Sequence, residues 1–302
     1  MGKKITVGYA ALASCSGCEI TLLDINETIL DVLKDVELVF NPLVMDVRKV
    51  PDDIDLIFVE GSVSTVHDLK KTKEYRKKAK YLVAVGACAC FGGIPGMRNF
   101  FEKNEILSDV YPLEEEQIKE FSGPTILSPK VKSLPMTVKT DFLVPGCPPL
   151  PENFLMVIQH FPNFDRIKLP TKSLCAECDL TKEKLLSPVR EFTSLKIKNP
   201  YHFDEKNNNL CFFERGILCM GVATRAGCGG RCVKVNVPCR GCFNPPPQEG
   251  SEDQGAGVIS AISSILPTGR LLTREDMLGL VYRYSLSVIT ELQKYSHEEK
   301  EV

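Results

Sequence analysis

Thirteen cysteines in 302 residues are the feature with chemical consequence, and most stand in spacings that suit metal ligation. Cys15-Ser-Gly-Cys18, Cys175-Ala-Glu-Cys178 and Cys239-Arg-Gly-Cys242 have C-x-x-C spacing, which lets adjacent thiolates grip one metal centre without chain strain. Cys88 and Cys90 lie in a glycine-containing stretch, Cys147 sits between Gly146 and Pro148, and Cys211, Cys219, Cys228 and Cys232 complete the set. Disulfides explain them poorly, because the count is odd and a reducing compartment keeps thiols reduced. Zinc or iron–sulfur ligation remains, since both take thiolates in groups of four. His67, His160, His202 and His297 are scattered singly and read as solvent-facing or structural.

The bulk composition narrows the rest. Hydrophobic residues at 43% and charged residues at 25% describe an ordinary globular chain, and the length suggests two domains. A formal charge of −2 implies neither nucleic-acid nor anionic-membrane partners. The opening residues show two lysines and then a strand-like run, without a signal-peptide core or a twin-arginine pair. No apolar run approaches the ~18 residues of a membrane span. A cytoplasmic protein is the expectation.

The cysteines of the N-terminal half need elements to bring them together. Ile5–Ala10, Val36–Phe40, Leu56–Val59, Tyr81–Val85 and Phe142–Val144 are short, near-continuously apolar runs, as strands buried on both faces of a parallel sheet require. Helical spacing of Leu22, Ile25, Ile29 and Leu33 predicts a helix over Glu19–Lys34, and a second is expected over Asp68–Ala79, with KKTKEYRKK as its solvated face. This alternation predicts an α/β fold, a flavodoxin-like doubly wound parallel sheet, followed by a loop-rich cysteine domain with C-terminal helices. Cys15 and Cys18 follow the first strand, Cys88 and Cys90 the fourth and Cys147 the fifth, while Glu60-Gly61-Ser62 follows the third. Ligands of such sheets bind beyond the carboxyl ends of the strands, so these residues should meet in one crevice. A thioredoxin-like dithiol at Cys15 and Cys18 would leave Cys88, Cys90 and Cys147 at the same edge unexplained.

After Pro162 periodicity fades until residue 255, and eight cysteines fall among Gly227, Gly229, Gly230, Gly241 and Pro245-Pro246-Pro247. Such loops can wrap an inorganic core that supplies the order a hydrophobic core otherwise would. Zinc ribbons pair C-x-x-C with C-x-x-C, a pattern that Cys211-x7-Cys219 and Cys228-x3-Cys232 fit badly, so two iron–sulfur clusters fit better than two zinc ions. Asp253–Leu266 and Thr273–Tyr295 read as helices, the second with Thr273 as its N-cap.

Taken in order, CSGCE at 15–19, VEGS at 59–62, GACACFGG at 86–93, VPGCPP at 144–149 and ILCMGVATRAGCGGRC at 217–232 resemble the small subunit of nickel–iron hydrogenases, over nearly the whole chain. The likeness is greatest to cytoplasmic enzymes of methanogens of the methyl-viologen-reducing type. It implies a flavodoxin-like domain over 1–165 holding a proximal cluster, and a cluster-binding domain over 166–302 holding medial and distal clusters. Carried over by motif, Cys15, Cys18, Cys88 and Cys147 would bind the proximal cluster, with Cys88 rather than Cys90 in the family's ligand position. Cys228, Cys232, Cys239 and Cys242 would bind the medial cluster, and Cys175, Cys178, Cys211 and Cys219 the distal one.

The resemblance further implies an oxidoreductase acting on hydrogen, with the nickel–iron centre in a partner large subunit and none in this chain. Electrons would leave through an iron–sulfur adaptor to heterodisulfide reductase. Cys175 stands where a histidine commonly ligates the distal cluster, and the medial site keeps four cysteines where many periplasmic enzymes have a proline. All three clusters should therefore be 4Fe–4S, and the extra thiolate charge should lower the distal potential. The corresponding subunit of the deazaflavin-reducing hydrogenase is the alternative within the family. A respiratory-complex subunit would retain only the N-terminal cluster, and a zinc-stabilised interaction module is the alternative from another class. Glu19 reads as a carboxylate favoured by a helix N-terminus, with proton traffic or an interface as the other possible roles.

Overall fold

Parallel pairing of five buried strands fixes the frame of the computed structural model, which describes residues 4–111, 127–181, 209–213, 217–244 and 277–288. The strands are β1 (Ile5–Ala11), β2 (Val36–Phe40), β3 (Ile54–Glu60), β5 (Ala79–Val85) and β7 (Phe142–Val144), in the order β2-β1-β3-β5-β7 and all parallel. All five coincide with the apolar runs of the sequence, and the order is that of a flavodoxin-like sheet. Leu56, Ile57, Phe58 and Val59 of the central β3 are at most 1% exposed, because helices cover both faces of a parallel sheet. A short antiparallel pair, β4 (Val63–Thr65) with β6 (Leu127–Lys132), lies outside this sheet and is not expected from the sequence.

The helix expected over Glu19–Lys34 is two helices, α1 (Gly17–Leu23) and α2 (Thr28–Asp35). Asn26 breaks it by taking a left-handed conformation (φ 56°), which asparagine tolerates better than other side chains that carry a Cβ. Of the apolar stripe, Ile25 is buried and Leu33 is exposed. Helix α3 (Val66–Lys78) begins on a capping box: Asp68 N–H donates to Thr65 Oγ1 at 3.0 Å, and Thr65 N–H donates to Asp68 Oδ2 at 2.9 Å. The basic run of α3 is not wholly solvated. Arg76 donates to Asp141 and to the carbonyls of Ala79 and Lys80, which fastens the helix to β5 and to the segment entering β7.

Helices α4 (Gly86–Phe91), α5 (Lys103–Val110) and α6 (Pro151–His160) follow among the described residues of the first half. Helix α4 occupies a stretch that reads from the sequence as a loop. Pro151 opens α6 where its missing N–H costs nothing, and Phe154 of α6 packs edge-on against Phe58 at 5.7 Å.

The chain divides into two compact units. The first holds the described residues through Lys168 and those from Tyr284 onward, and the second spans Leu169–Arg283. The boundary expected at 165/166 lies close to this division, and the described residues Tyr284–Val288 group with the first unit. Among the described residues of the second unit the regular elements are 3-10 turns at Leu174–Ala176 and Met220–Val222, α7 (Arg231–Lys234) and a π-helical segment, Met277–Val281. Its core mixes Leu174, Phe212, Leu218, Met220 and Val281 with the thiols of Cys219 and Cys239.

Asp253–Leu266, expected as a helix, lies outside the described residues. Of Thr273–Tyr295, the described part is a π-helical segment, Met277–Val281, and a 3-10 turn, Leu286–Val288, rather than one continuous helix. Tertiary contact overrides the helical periodicity there. Ser287 is buried against Gly92 and Gly96, whose missing side chains leave it room, and accepts a hydrogen bond from Asn99 Nδ2 at 3.2 Å. Among the described residues no helix is long and apolar enough to cross a membrane.

Candidate metal centres

The carboxyl ends of β1, β5 and β7 carry the first set of thiols, and that of β3 carries Glu60. Cys15 and Cys18 flank the turn into α1, Cys88 sits on α4 directly after β5, and Cys147 follows β7. The N–H of Ala87 donates to the carbonyl of Gly146 at 2.6 Å, so the start of α4 and the Cys147 loop are tied together. Burial pushes the Cys18 thiol well above its ordinary value, and the Glu60 carboxylate and the thiols of Cys88, Cys147 and, least, Cys90 push it further. Cys88 is pushed up to about 12 by burial and then by Cys147, with the Ile94 N–H pulling the other way and Cys15 adding a smaller push. Thiols whose ionisation is suppressed, as at Cys18 and Cys88, suit a cationic centre, which deprotonates its thiol ligands outright.

Two glycines make the cradle. A Cβ at Gly86 (φ 82°) would collide with Cys18 Sγ, and a Cβ at Gly93 (φ 55°) would lie 2.6 Å from Cys88 Sγ. Any side chain at either position would displace a thiol, so the backbone itself forms the wall.

Glu60, the last residue of β3, is the fully buried residue beneath this set. Its Oε2 accepts from Tyr9 Oη at 3.0 Å and from the Glu19 N–H at 3.1 Å, and its Oε1 accepts from Ser14 Oγ at 2.7 Å. The carboxylate thus braces the Cys15–Cys18 turn on both sides. Glu19 is itself 4% exposed. Burial raises its pKa, opposed by a hydrogen bond with Asn41, so it is no simple solvated carboxylate at a helix start. The sequence places Glu60 in the crevice, after the third strand and within the VEGS motif, but not its role as the brace of the Cys15–Cys18 turn.

Cys90 is separate. It is 2% exposed in the core of the sheet, and its thiol meets the carbonyls of Ala84 at 3.4 Å and Val144 at 3.6 Å. Two residues apart on a helix, Cys88 and Cys90 face opposite sides.

In the second unit, Cys219 is pushed up to about 12 by burial; N–H groups of Gly221 and Cys239 oppose this, while Cys175 and Cys211 add to it. Cys178 packs against the same apolar cluster. Burial also raises Cys239, with smaller pushes from Cys219, Cys242 and Cys228, opposed by the Gly241 N–H. Cys232 is raised by burial and by Cys228, against the opposing charge of Arg240. A direct link joins the groups: the Cys239 N–H donates to Cys219 Sγ at 3.3 Å. Among the described residues, no three Cys, His, Asp or Glu side chains converge on one ion-sized point. His160 is bonded within α6, its Nδ1 lying 2.8 Å from the Met156 carbonyl oxygen.

Comparison with known proteins places these observations. Residues 15–161, which run from the first cysteine through Cys147, match the family described as NADH ubiquinone oxidoreductase, 20 Kd subunit. A subunit of the F420-non-reducing hydrogenase vhu of Methanocaldococcus jannaschii is 36% identical over 285 residues, 93% of this chain and 95% of that one. The matching subunit of the F420-non-reducing hydrogenase of Methanothermobacter marburgensis is 32% identical over 317 residues, 99% of this chain and 100% of that one. Among solved structures, a chain of an NAD+-reducing [NiFe]-hydrogenase in the H2-reduced state is 28% identical, with a TM-score of 0.48, covering 55% of this chain and 99% of that chain. Thiols gathered at the carboxyl edge of a flavodoxin-like sheet, a cysteine-built second unit and full-length relatives above 30% identity agree, and the chain belongs to the small-subunit family of nickel–iron hydrogenases, which includes these subunits of the F420-non-reducing enzymes.

Proposed function

We propose that this chain is the electron-transfer subunit of a cytoplasmic nickel–iron hydrogenase. It carries electrons between the nickel–iron site of a separate large subunit and an iron–sulfur adaptor serving heterodisulfide reductase. The observation that carries the reading is the grouping of thiols. Besides burial, Cys18 is raised by Cys88, Cys147 and Cys90, Cys88 by Cys147 and Cys15, Cys219 by Cys175 and Cys211, Cys239 by Cys219, Cys242 and Cys228, and Cys232 by Cys228, so the thiols lie in groups at the sheet edge and within the second unit. Divided by motif, with Cys178 beside Cys175, twelve of the thiols make three sets of four; Cys90 is set aside because its thiol meets the carbonyls of Ala84 and Val144 in the sheet core.

Each set would hold a 4Fe–4S cluster, and the clusters supply reversible one-electron storage when bound. The chain's own residues do the rest. Gly86 and Gly93 let the backbone close on the proximal set, Glu60 holds the Cys15–Cys18 turn, and the N–H groups of Ile94, Gly221 and Gly241 point at thiols. The apolar residues around Cys219 and Cys239 keep water from them, which with four thiolates per set favours low potentials. Exposed Ile20 and Leu23 on α1, beside the Cys15–Cys18 turn, suit coverage by a large subunit that brings the nickel–iron centre. Full-length likeness to F420-non-reducing enzymes favours the adaptor route over deazaflavin reduction.

The test is anaerobic purification of the tagged chain from its own cells, with metal, sulfide and partner analysis. About twelve irons and about twelve acid-labile sulfides per chain, in a complex with a nickel-containing large subunit and an iron–sulfur adaptor, are expected. Stoichiometric zinc with little iron would overturn the reading in favour of a structural module.

A further inference from the structure

Glu177 lies inside the Cys175–Cys178 loop, yet its carboxylate is spent on a different loop. Its Oε1 accepts the N–H of Gly227 at 2.8 Å, and its Oε2 accepts the N–H of Gly229 at 3.0 Å. These two donors flank Cys228, the first thiol of the other set in this unit. Gly227 and Gly229 both have positive φ (111° and 63°), a conformation that favours glycine and turns both N–H groups toward one anion. Here the anion is a side chain of the same protein.

The backbone prepares this contact. Leu174 N–H donates to the Thr224 carbonyl at 2.8 Å, and Ala226 N–H donates to the Lys172 carbonyl at 3.0 Å, around an antiparallel bridge between Ser173 and Arg225. Both cysteine loops leave from this bridge. The 3-10 turn Leu174–Ala176 then reverses the chain and brings Glu177 to Gly227.

We propose that Glu177 is a positioning residue that couples the two cluster sites of this unit: carried on one ligand loop, it fixes the shape and lowers the reduction potential at the other. This rests on the assignment of Cys175, Cys178, Cys211 and Cys219 to one cluster and Cys228, Cys232, Cys239 and Cys242 to the next. Two effects of Glu177 act in the same direction. Its negative charge beside the Cys228 loop disfavours the added electron, and its hold on two N–H groups keeps them from bonding to cluster sulfur, where they would favour that electron. Neutralising it therefore has a predictable sign.

The experiment compares wild type, Glu177→Gln and Glu177→Asp as the intact complex, using iron counts and an EPR-monitored redox titration. The signal of the Cys228 set is identified as the one altered by Cys232→Ser. In Glu177→Gln that signal should move to higher potential with a changed line shape, while the signal of the Cys15 set stays in place. Glu177→Asp keeps the charge on a shorter arm and should restore most of the wild-type potential. Loss of iron from the Cys228 set alone in Glu177→Gln would support the same coupling. An unmoved potential and line shape in an iron-replete Glu177→Gln protein overturns the role of Glu177 and leaves the proposed function standing. Wild-type protein without cluster iron overturns the proposed function, and this inference with it.

Discussion

The Oε2 atom of Glu60 accepts the backbone N–H of Glu19 at 3.1 Å, joining the end of the central strand to the turn of α1 across 41 residues of sequence. The same carboxylate takes the hydroxyls of Tyr9 and Ser14, so it is spent on holding protein. Glu60→Gln keeps the shape but presents an amide N–H₂ to donors that need an acceptor. We expect a loss of about 1–3 kcal/mol in stability from unsatisfied groups. The local readout is iron: content should fall from about twelve toward about eight per chain if the proximal set alone is loosened. Iron analysis and urea unfolding check this, and an unaltered iron count would show that the Cys15–Cys18 turn stands without Glu60.

Gly93 tests the cradle more directly. Its φ of 55° and the 2.6 Å approach of a Cβ to Cys88 Sγ both exclude a side chain. Gly93→Ala should cost at least about 1 kcal/mol for the backbone conformation alone and push the Cys88 thiol away from its set. Loss or altered EPR of the proximal cluster, with the clusters of the second unit retained, is the expected outcome.

The strands are legible in the sequence because a parallel sheet buried on both faces writes itself as apolar runs, and all five runs are strands of one sheet. The thiol edge follows from topology, since Cys15, Cys88 and Cys147 each come just after a strand. What fails to show are features decided by single residues or by distant contacts. Nothing in the stripe Leu22, Ile25, Ile29, Leu33 marks the break at Asn26, because the left-handed turn interrupts the helix without interrupting the apolar pattern. Helix α4 is hidden because GACACFGG is too short and glycine-flanked for any periodicity. Glu177 is visible only as the filler of a C-x-x-C motif, and its partners Gly227 and Gly229 are 50 and 52 residues away.

Asp55 gives the sheet a defined acid sensitivity. It joins three strands: Thr6 of β1 donates its N–H and hydroxyl at 3.0 and 2.9 Å, and Lys80 of β5 donates at 2.6 Å. Burial alone would raise its pKa, but these hydrogen bonds outweigh it and hold the carboxyl at about 2. The folded value lies below the ~3.9 of an unfolded aspartate, so the carboxylate adds stability that is fully present above about pH 4 and is lost as pH falls toward about 2. Lys80 is 55% exposed, which screens the pair and limits the contribution to about 1 kcal/mol. Asp55→Asn should be less stable than wild type by that amount at pH 7, with the gap closing between about pH 4 and about pH 2. Both chains share every other acid-labile group, so the difference between their unfolding curves isolates Asp55. A gap independent of pH would assign the effect to packing.

Cys88 and Cys90 offer the sharpest separation of ligand from neighbour. The sequence places them two residues apart after one strand, and the short helix α4 then turns them to opposite sides. Cys88 is half-buried and answers to Cys147 and Cys15, whereas Cys90 is 2% exposed in the sheet core against the carbonyls of Ala84 and Val144. Cys88→Ser should therefore remove or damage the proximal cluster, lowering iron by up to about four per chain. Cys90→Ser should leave iron unchanged; a hydroxyl can still reach one of the two carbonyls, so the stability cost should stay near about 1 kcal/mol. Cys90→Ala removes the sulfur from a closely packed core, and there the cost should rise to about 1–2 kcal/mol, again with full iron. Iron counts on the three anaerobically purified variants decide the matter. Full iron in Cys88→Ser together with loss in Cys90→Ser would exchange the two roles and would require α4 to rotate by about half a turn, because residues two apart on a helix are separated by about 200°.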